Sequence, residues 1–313
     1  DIEATIKEEG EIVVSAKLFL DIVRRLPEEI VFIETDERMV TYIACGKVNY
    51  QIVGMSSVEY PDLPSFEQTD RITLNAKILR DMIRQTVYAV SENTAKPIYT
   101  GSLYEIEDGV FKIIAIDGYR MAIRSENVDS ESKNRFVVPG KTQHEVLKLL
   151  TDDEENTEII IGQRHITFKI KNYRIISRLI EGTFIEYKSA IPKETKTEVV
   201  INTRTIIDAV ERMSLLNNDR IQSPVRCIFS DDEIKLSCTS AVGRANDVIS
   251  VPIIGESVEI GFNNRYLLDA LKNADTDEIK LILNGSLTAM IVKPVKGDSY
   301  LSIVVPMRLA NEN

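Results

Sequence analysis

LNAKILRDMIRQT, residues 74–86, decides the fold, because four other segments share its pattern of charge and apolarity: VSAKLFLDIVRRL (14–26), VPGKTQHEVLKLL (138–150), INTRTIIDAVERM (201–213) and NNRYLLDALKNA (263–274). Their acidic residues Asp21, Asp81, Glu145, Asp208 and Asp269 recur at intervals of 60 to 64 residues. A basic residue stands four positions before each (Lys17, Lys77, Lys141, Arg204, Arg265), and another stands three positions after four of them (Arg24, Arg84, Lys148, Lys272). Only the fourth copy breaks the rule, with Glu211. On a helix of 3.6 residues per turn those offsets fall on one side. Apolar residues fall opposite, as at Leu79, Met82 and Ile83 or Ile206, Val210 and Met213. Each copy reads as a short amphipathic helix with one buried face and one charged face.

Between the helices the period changes to two. EEIVFIETDE, MVTYIACGK and VNYQIVGM follow the first helix, and GSLYEIEDG, VFKIIAIDG and YRMAIRSENV follow the second. Comparable triplets follow the other three, with Gly, Asn and Asp at the joints and β-branched or aromatic residues between. That is an antiparallel meander, so the repeating unit is a leading strand, a helix and about three strands. Proline-bearing stretches at 57–70 and 181–198 separate the units into 1–67, 68–191 and 192–313. The last two of these hold paired units. The first holds one, and the pattern predicts that a preceding unit of about 60 residues belongs with it.

Composition narrows the functional classes. The 313 residues carry a formal charge of −11, which opposes nucleic-acid binding over the whole surface yet leaves room for a locally basic lining. No apolar run approaches the ~20 residues that cross a bilayer, and a soluble, cytoplasmic protein with no membrane partner is expected. Cys45, Cys227 and Cys238 are too dispersed for a disulfide framework and read as reduced thiols packed on strands. His144 and His165 join no metal-ligand pattern, so neither metal nor cofactor is expected.

Enzyme signatures fail one by one. The chain has no phosphate-binding loop, zinc-protease helix, nucleophile elbow or dinucleotide turn. Gly297-Asp298-Ser299 reads as a polar hairpin turn, and Asp231-Asp232-Glu233 and the acidic run 152–155 read as solvated carboxylates. A non-catalytic protein is expected, and a repetitive peptide-binding scaffold is one reading open to such a chain.

Particular stretches carry a further signal: VEYPDLPSF (58–66), MIRQTVYAVS (82–91), KPIYTG (96–101), IAIDGYRMAIR (114–124), VVPGKT (137–142), FKIKNYRIISRLIEG (168–182) and SIVVPMRL (302–309). In this order they resemble the bacterial DNA polymerase III beta subunit, the sliding-clamp family. The resemblance implies an α+β clamp fold of three similar domains per subunit. Two subunits would close head to tail around duplex DNA, with helices lining the hole and sheets outside. It implies a processivity factor that tethers the replicative polymerase, the clamp loader and other clients through short linear peptides.

The same resemblance assigns residues. A client-peptide pocket maps onto Tyr99, Ile116, Gly118, Tyr119, Arg120, Met121, Pro192, Ile303, Val305, Pro306, Met307 and Arg308. Ile116, Tyr119 and Met121 stand where the family often has Thr, His and Leu, and TFIEY (183–187) replaces a common Pro-Asp turn. Tyr50 and Ile52 map to one side of the dimer interface, and Leu215 and Leu216 to the other. The helix stripe (Lys17, Arg24, Lys77, Arg84, Lys141, Lys148, Arg204, Arg265 and Lys272) becomes a lining that faces DNA phosphates without reading sequence.

Overall fold

The computed structural model describes residues 2–61, 70–151, 155–217 and 223–309. The chain divides into two compact units, Asp1–Phe66 and Glu67–Asn313. The acidic positions 152–154 and the centre of the stretch between the first two domains, 62–69, lie outside the described residues.

The first unit holds helix α1 (Ala16–Val23) and strands β1 (Val31–Thr35), β2 (Val40–Cys45) and β3 (Val48–Val53), which form an antiparallel sheet in the order β1-β2-β3. Ile22 of the helix packs on Ile43 and Ile52 of the sheet. β1 is an edge strand, and every residue of it is exposed despite the sequence VFIET.

The second unit contains the four remaining repeats. The middle pair comprises β4 (Asp70–Asn75), α2 (Ala76–Val87), β5 (Gly101–Glu107), β6 (Val110–Ile116) and β7 (Arg120–Asn127), then β8 (Asn134–Pro139), α3 (Gly140–Leu149), β9 (Asn156–Ile161), β10 (His165–Ile170) and β11 (Tyr173–Arg178). The last pair comprises β12 (Thr197–Asn202), α4 (Thr203–Ser214), β13 (Val225–Ser230), β14 (Glu233–Ser240), β15 (Gly243–Ser250) and β16 (Ile253–Gly255), then β17 (Val258–Phe262), α5 (Asn264–Lys272), β18 (Glu278–Leu283), β19 (Met290–Pro294) and β20 (Tyr300–Val304). The expected strand, helix and meander unit recurs in all four, whereas the segment before α1 in the first unit forms only an isolated bridge, Val13 with Met55.

Local chemistry starts the helices where the strands stop. Ser15, Asn75, Asn202 and Asn263 each accept a backbone N–H of the first helical turn, satisfying donors that have no intrahelical partner. α3 has no side-chain cap and begins after Pro139. Gly140 fits closely there, since a Cβ would stand 3.1 Å from both the Thr100 carbonyl oxygen and the Val90 side chain.

Each pair of helices lies over strands from two sheets. α2 and α3 contribute Leu79, Met82, Ile83 and Val146 to a core completed by Tyr104, Phe111, Ile159 and Phe168. α4 and α5 contribute Ile206, Val210, Leu267 and Leu271 to a second core with Phe229, Leu236, Phe262 and Leu281. The two are joined by β7 and β20, whose antiparallel pairing fuses two four-stranded halves, each a three-stranded meander with one strand of the neighbouring unit, and the short β16 into one nine-stranded sheet, β16-β12-β18-β19-β20-β7-β6-β5-β8. Cys45, Cys227 and Cys238 are buried on strands, and burial pushes the Cys227 thiol up to about 12. Among the described residues no helix is long and apolar enough to cross a membrane.

Candidate functional site

Strand β7 presents two chemistries because its successive side chains point to opposite faces of the sheet. Its entry is shaped by Asp117 and Gly118. The Asp117 carboxylate accepts the Tyr119 and Arg120 N–H groups at 2.8 and 3.0 Å, and Gly118 takes φ +95°, which only glycine adopts without strain.

On one face, Met121 sits opposite Ile303 in the β7–β20 register and both are buried. They share an apolar cluster with Leu103, Ile114 and Ile123, while Ile116, Tyr99 and Ile191 are only partly buried against it. Phe184 and Tyr187, from the segment before β12, are buried in the same cluster, and the Tyr99 ring meets Phe184 edge-on at 5.8 Å. Pro192 follows Ile191 and is itself half-buried. The segment after β20 continues past this face. Val305 N–H donates to the Tyr119 carbonyl at 2.9 Å and Met307 N–H to the Gly261 carbonyl at 2.8 Å. Val305 and Arg308 are exposed and Pro306 half-buried. The structure therefore gathers Tyr99, Ile116, Met121 and Ile303 on one apolar face, with Pro192 beside it in sequence and Val305 tied to the β7 turn.

Arg120 points the other way. Its guanidinium donates to Asp117 at 3.0 Å and to Asp269 of α5, and lies over the rings of Tyr266 at 4.6 Å and Tyr88 at 5.4 Å. Burial works against its charge, but the Asp269 hydrogen bond and the two carboxylates together raise its pKa above the ordinary value. Tyr88, first residue after α2, shares hydrogen bonds with the hydroxyls of Tyr300 and Ser302 on β20, and burial pushes its phenol up to about 12. Tyr119 is exposed and stacks on Tyr266, ring centroids 5.7 Å apart. Sequence reasoning did not single out Tyr88, Tyr266 or Phe184 for this site. TFIEY was the one visible signal, since it marks the position of Phe184.

The charged helix faces are partly self-paired. Arg84 meets Asp275 at 2.6 Å, Lys148 meets Glu145 at 2.8 Å, Arg204 meets Asp208 at 2.8 Å and Arg265 meets Glu92 at 3.6 Å. Lys272 meets Glu211 of α4 at 2.6 Å and lowers that carboxyl's pKa, so the acid that breaks the repeat has a partner on the neighbouring helix. Lys17, Arg24, Lys77 and Lys141 are exposed. Leu215 is exposed at 82%, Tyr50 at 37%, Leu216 half-buried and Ile52 buried beneath α1.

The Asp231-Asp232 turn borders a cavity of about 310 Å³, but Asp232 Oδ1 already accepts the Ile253 N–H at 2.9 Å. Gly297-Asp298-Ser299 is the β19–β20 turn. No group of three or more His, Cys, Asp and Glu among the described residues is arranged to hold a metal.

Comparison with known proteins gives a consistent result along the chain. Family models of the DNA polymerase III beta subunit match its N-terminal domain at residues 1–64, its central domain at 73–186 and its C-terminal domain at 188–308. The beta sliding clamp of Halalkalibacterium halodurans is 34% identical over 97% of this chain and 82% of that protein, and that of Bacillus subtilis is 32% identical over the same shares. Among solved structures, a putative DNA polymerase III beta subunit from Eubacterium rectale superposes with a TM-score of 0.94 at 32% identity, covering 98% of this chain and 83% of the other. The Bacillus subtilis sliding clamp gives 0.94 at 32% identity, over 98% and 82%.

Proposed function

Since the chain belongs to the bacterial DNA polymerase III beta subunit family, we propose that it is a sliding clamp that encircles duplex DNA and holds the replicative polymerase and other clients near their substrate. It performs no chemistry itself and raises the local concentration of enzymes that do. One observation carries the client half of this reading. Tyr99, Ile116, Met121 and Ile303 converge on one apolar face beside the β7–β20 junction, while the charged helix stripes belong to other elements. Such a face suits the apolar anchors of a short linear peptide, with Tyr119, Val305, Pro306, Met307 and Arg308 at its margin.

The β7–β20 pairing supports the assembly half. β7 is the last meander strand of a first unit, and β20 the last of a second unit in the next domain. Of the described last strands in the same roles, β15, β3 and β11 are each the edge of a sheet, and β3 and β15 lie in the first and last domains. Pairing β15 of one copy with β3 of another repeats the internal joint, and it brings Leu215 and Leu216 toward Tyr50 and Ile52. The exposed Lys17, Lys77 and Lys141 and their paired neighbours then form a phosphate-facing lining, too dilute for tight binding and suited to sliding.

The test is topological. With a clamp loader and ATP, the protein should remain on nicked circular duplex DNA through gel filtration and leave when the circle is cut. Equal retention on circular and linear DNA, or none on either under conditions that load a relative, overturns the reading.

A further inference from the structure

The internal joint between β7 and β20 is fastened at three points on its helix side. Tyr119, immediately before β7, stacks on Tyr266, the third residue of α5. Arg120, the first residue of β7, is locked to Asp269 of α5. Tyr88, immediately after α2, bonds to Tyr300 and Ser302 of β20.

The repeat supplies a counterpart for each fastening at the edges β15 and β3. Val242 immediately precedes β15, and Leu18 is the third residue of α1. Gly243 begins β15 where Arg120 begins β7, and Asp21 stands in α1 where Asp269 stands in α5. Leu215 follows α4 as Tyr88 follows α2. An aromatic stack, an ionic lock and a hydroxyl network are thus replaced by Val242 with Leu18, by a glycine, and by a leucine. The apolar counterparts are exposed in the single chain: Leu18 at 48%, Val242 at 66% and Leu215 at 82%. Several neighbouring charges are engaged within the chain, Asp21 with Arg25 at 3.7 Å, Glu211 with Lys272 at 2.6 Å and Arg212 with Asp247 at 2.8 Å, while Lys17, Arg24 and Arg244 are exposed.

We propose that Leu18 of one copy and Val242 of another form the closing contact of the ring, and that this seam is apolar where the internal joint is ionic and aromatic. The inference rests on the head-to-tail pairing proposed above and adds its chemistry. A glycine at the lock position leaves Asp21 without the guanidinium that grips Asp269, and two aliphatic side chains of moderate size meet where two tyrosines stack inside the chain. Such a seam excludes water without a fixed charge pattern, so its strength is nearly independent of salt.

Sedimentation or mass photometry of the full chain across a dilution series separates the possibilities. The dimer dissociation constant should change by less than about threefold between roughly 0.1 and 0.5 M NaCl, because screening acts on charges. Leu18→Glu and Val242→Glu should each weaken the dimer by at least about tenfold, the scale of an interface anchor lost, with circular dichroism unchanged and the thermal midpoint unchanged when compared at a concentration where every variant is monomeric, because both positions are exposed. Leu18→Lys combined with Val242→Glu should restore most of the affinity and make it fall with salt. Tyr119→Ala, at the internal joint, should leave dimerisation unchanged. A wild type that stays monomeric throughout overturns the head-to-tail reading itself. A wild-type dimer that dissociates with salt, or that tolerates both glutamates, overturns the apolar seam and leaves the ring intact.

Discussion

On β7, Arg120 and Met121 are neighbours in sequence and opposites in environment. Met121 lies in an apolar cluster with Ile303 and Phe184, whereas Arg120 is held by Asp117 and Asp269 beneath two tyrosine rings. The difference teaches that one strand divides two environments by alternation alone: one set of side chains packs into an apolar cluster and the other fastens two domains together. Both residues lie in the same motif, so the motif by itself does not say which environment each meets.

The sharpest way to break this comparison is Arg120→Met. Removing the cation leaves two partly buried carboxylates without their shared partner and should lower the stability of the second unit by roughly 2 kcal/mol, read as a lower urea midpoint. The affinity of a short apolar client peptide, measured by fluorescence anisotropy well below that midpoint, should fall less than about threefold, since the guanidinium is on the other face. A large loss of affinity with no loss of stability would place Arg120 in the groove.

Alkaline pH probes the Arg120 face without mutation. The Tyr88 phenol has an ordinary value of 10 and is pushed up to about 12 by burial, so above pH 10 the unfolded chain binds fewer protons than the native one. Stability is therefore retained below pH 10 and declines as pH rises toward 12, by an amount on the order of 2–3 kcal/mol from this group. Urea midpoints for wild type and Tyr88→Phe should converge over that window. Parallel decline in both would assign the loss to other groups.

The Met121 face should respond in the reverse sense. Tyr99→Ala or Ile116→Ala removes a partly buried anchor and should weaken peptide binding about tenfold, roughly 1.4 kcal/mol, while costing the fold less than the Arg120 substitution does. If peptide affinity is unmoved by both, the apolar cluster is core alone.

Much of the architecture was legible in the sequence because helices and strands impose periods on it. Asp81 and Arg84 do meet on one helix face, at 3.6 Å, and Cys227 and Cys238 are indeed packed on strands. Partner choice was not legible, since periodicity places a side chain on a face without saying what that face meets. Asp269 belongs by spacing to the stripe of Arg265 and Lys272, yet its partner is Arg120, distant in sequence. Lys272 in turn pairs with Glu211 across two helices. The expectation that groups Arg120 with Met121 follows motif proximity, whereas strand alternation separates their side chains.

The uninterrupted sheet also has a mechanical meaning. Five consecutive positions of β20, Tyr300 to Val304, are paired with Arg124 to Arg120 of β7, so bending between the middle and C-terminal domains would have to peel a ladder in the midst of nine strands. The junction therefore resists bending by the cost of those backbone hydrogen bonds, in addition to the chain that links the two domains.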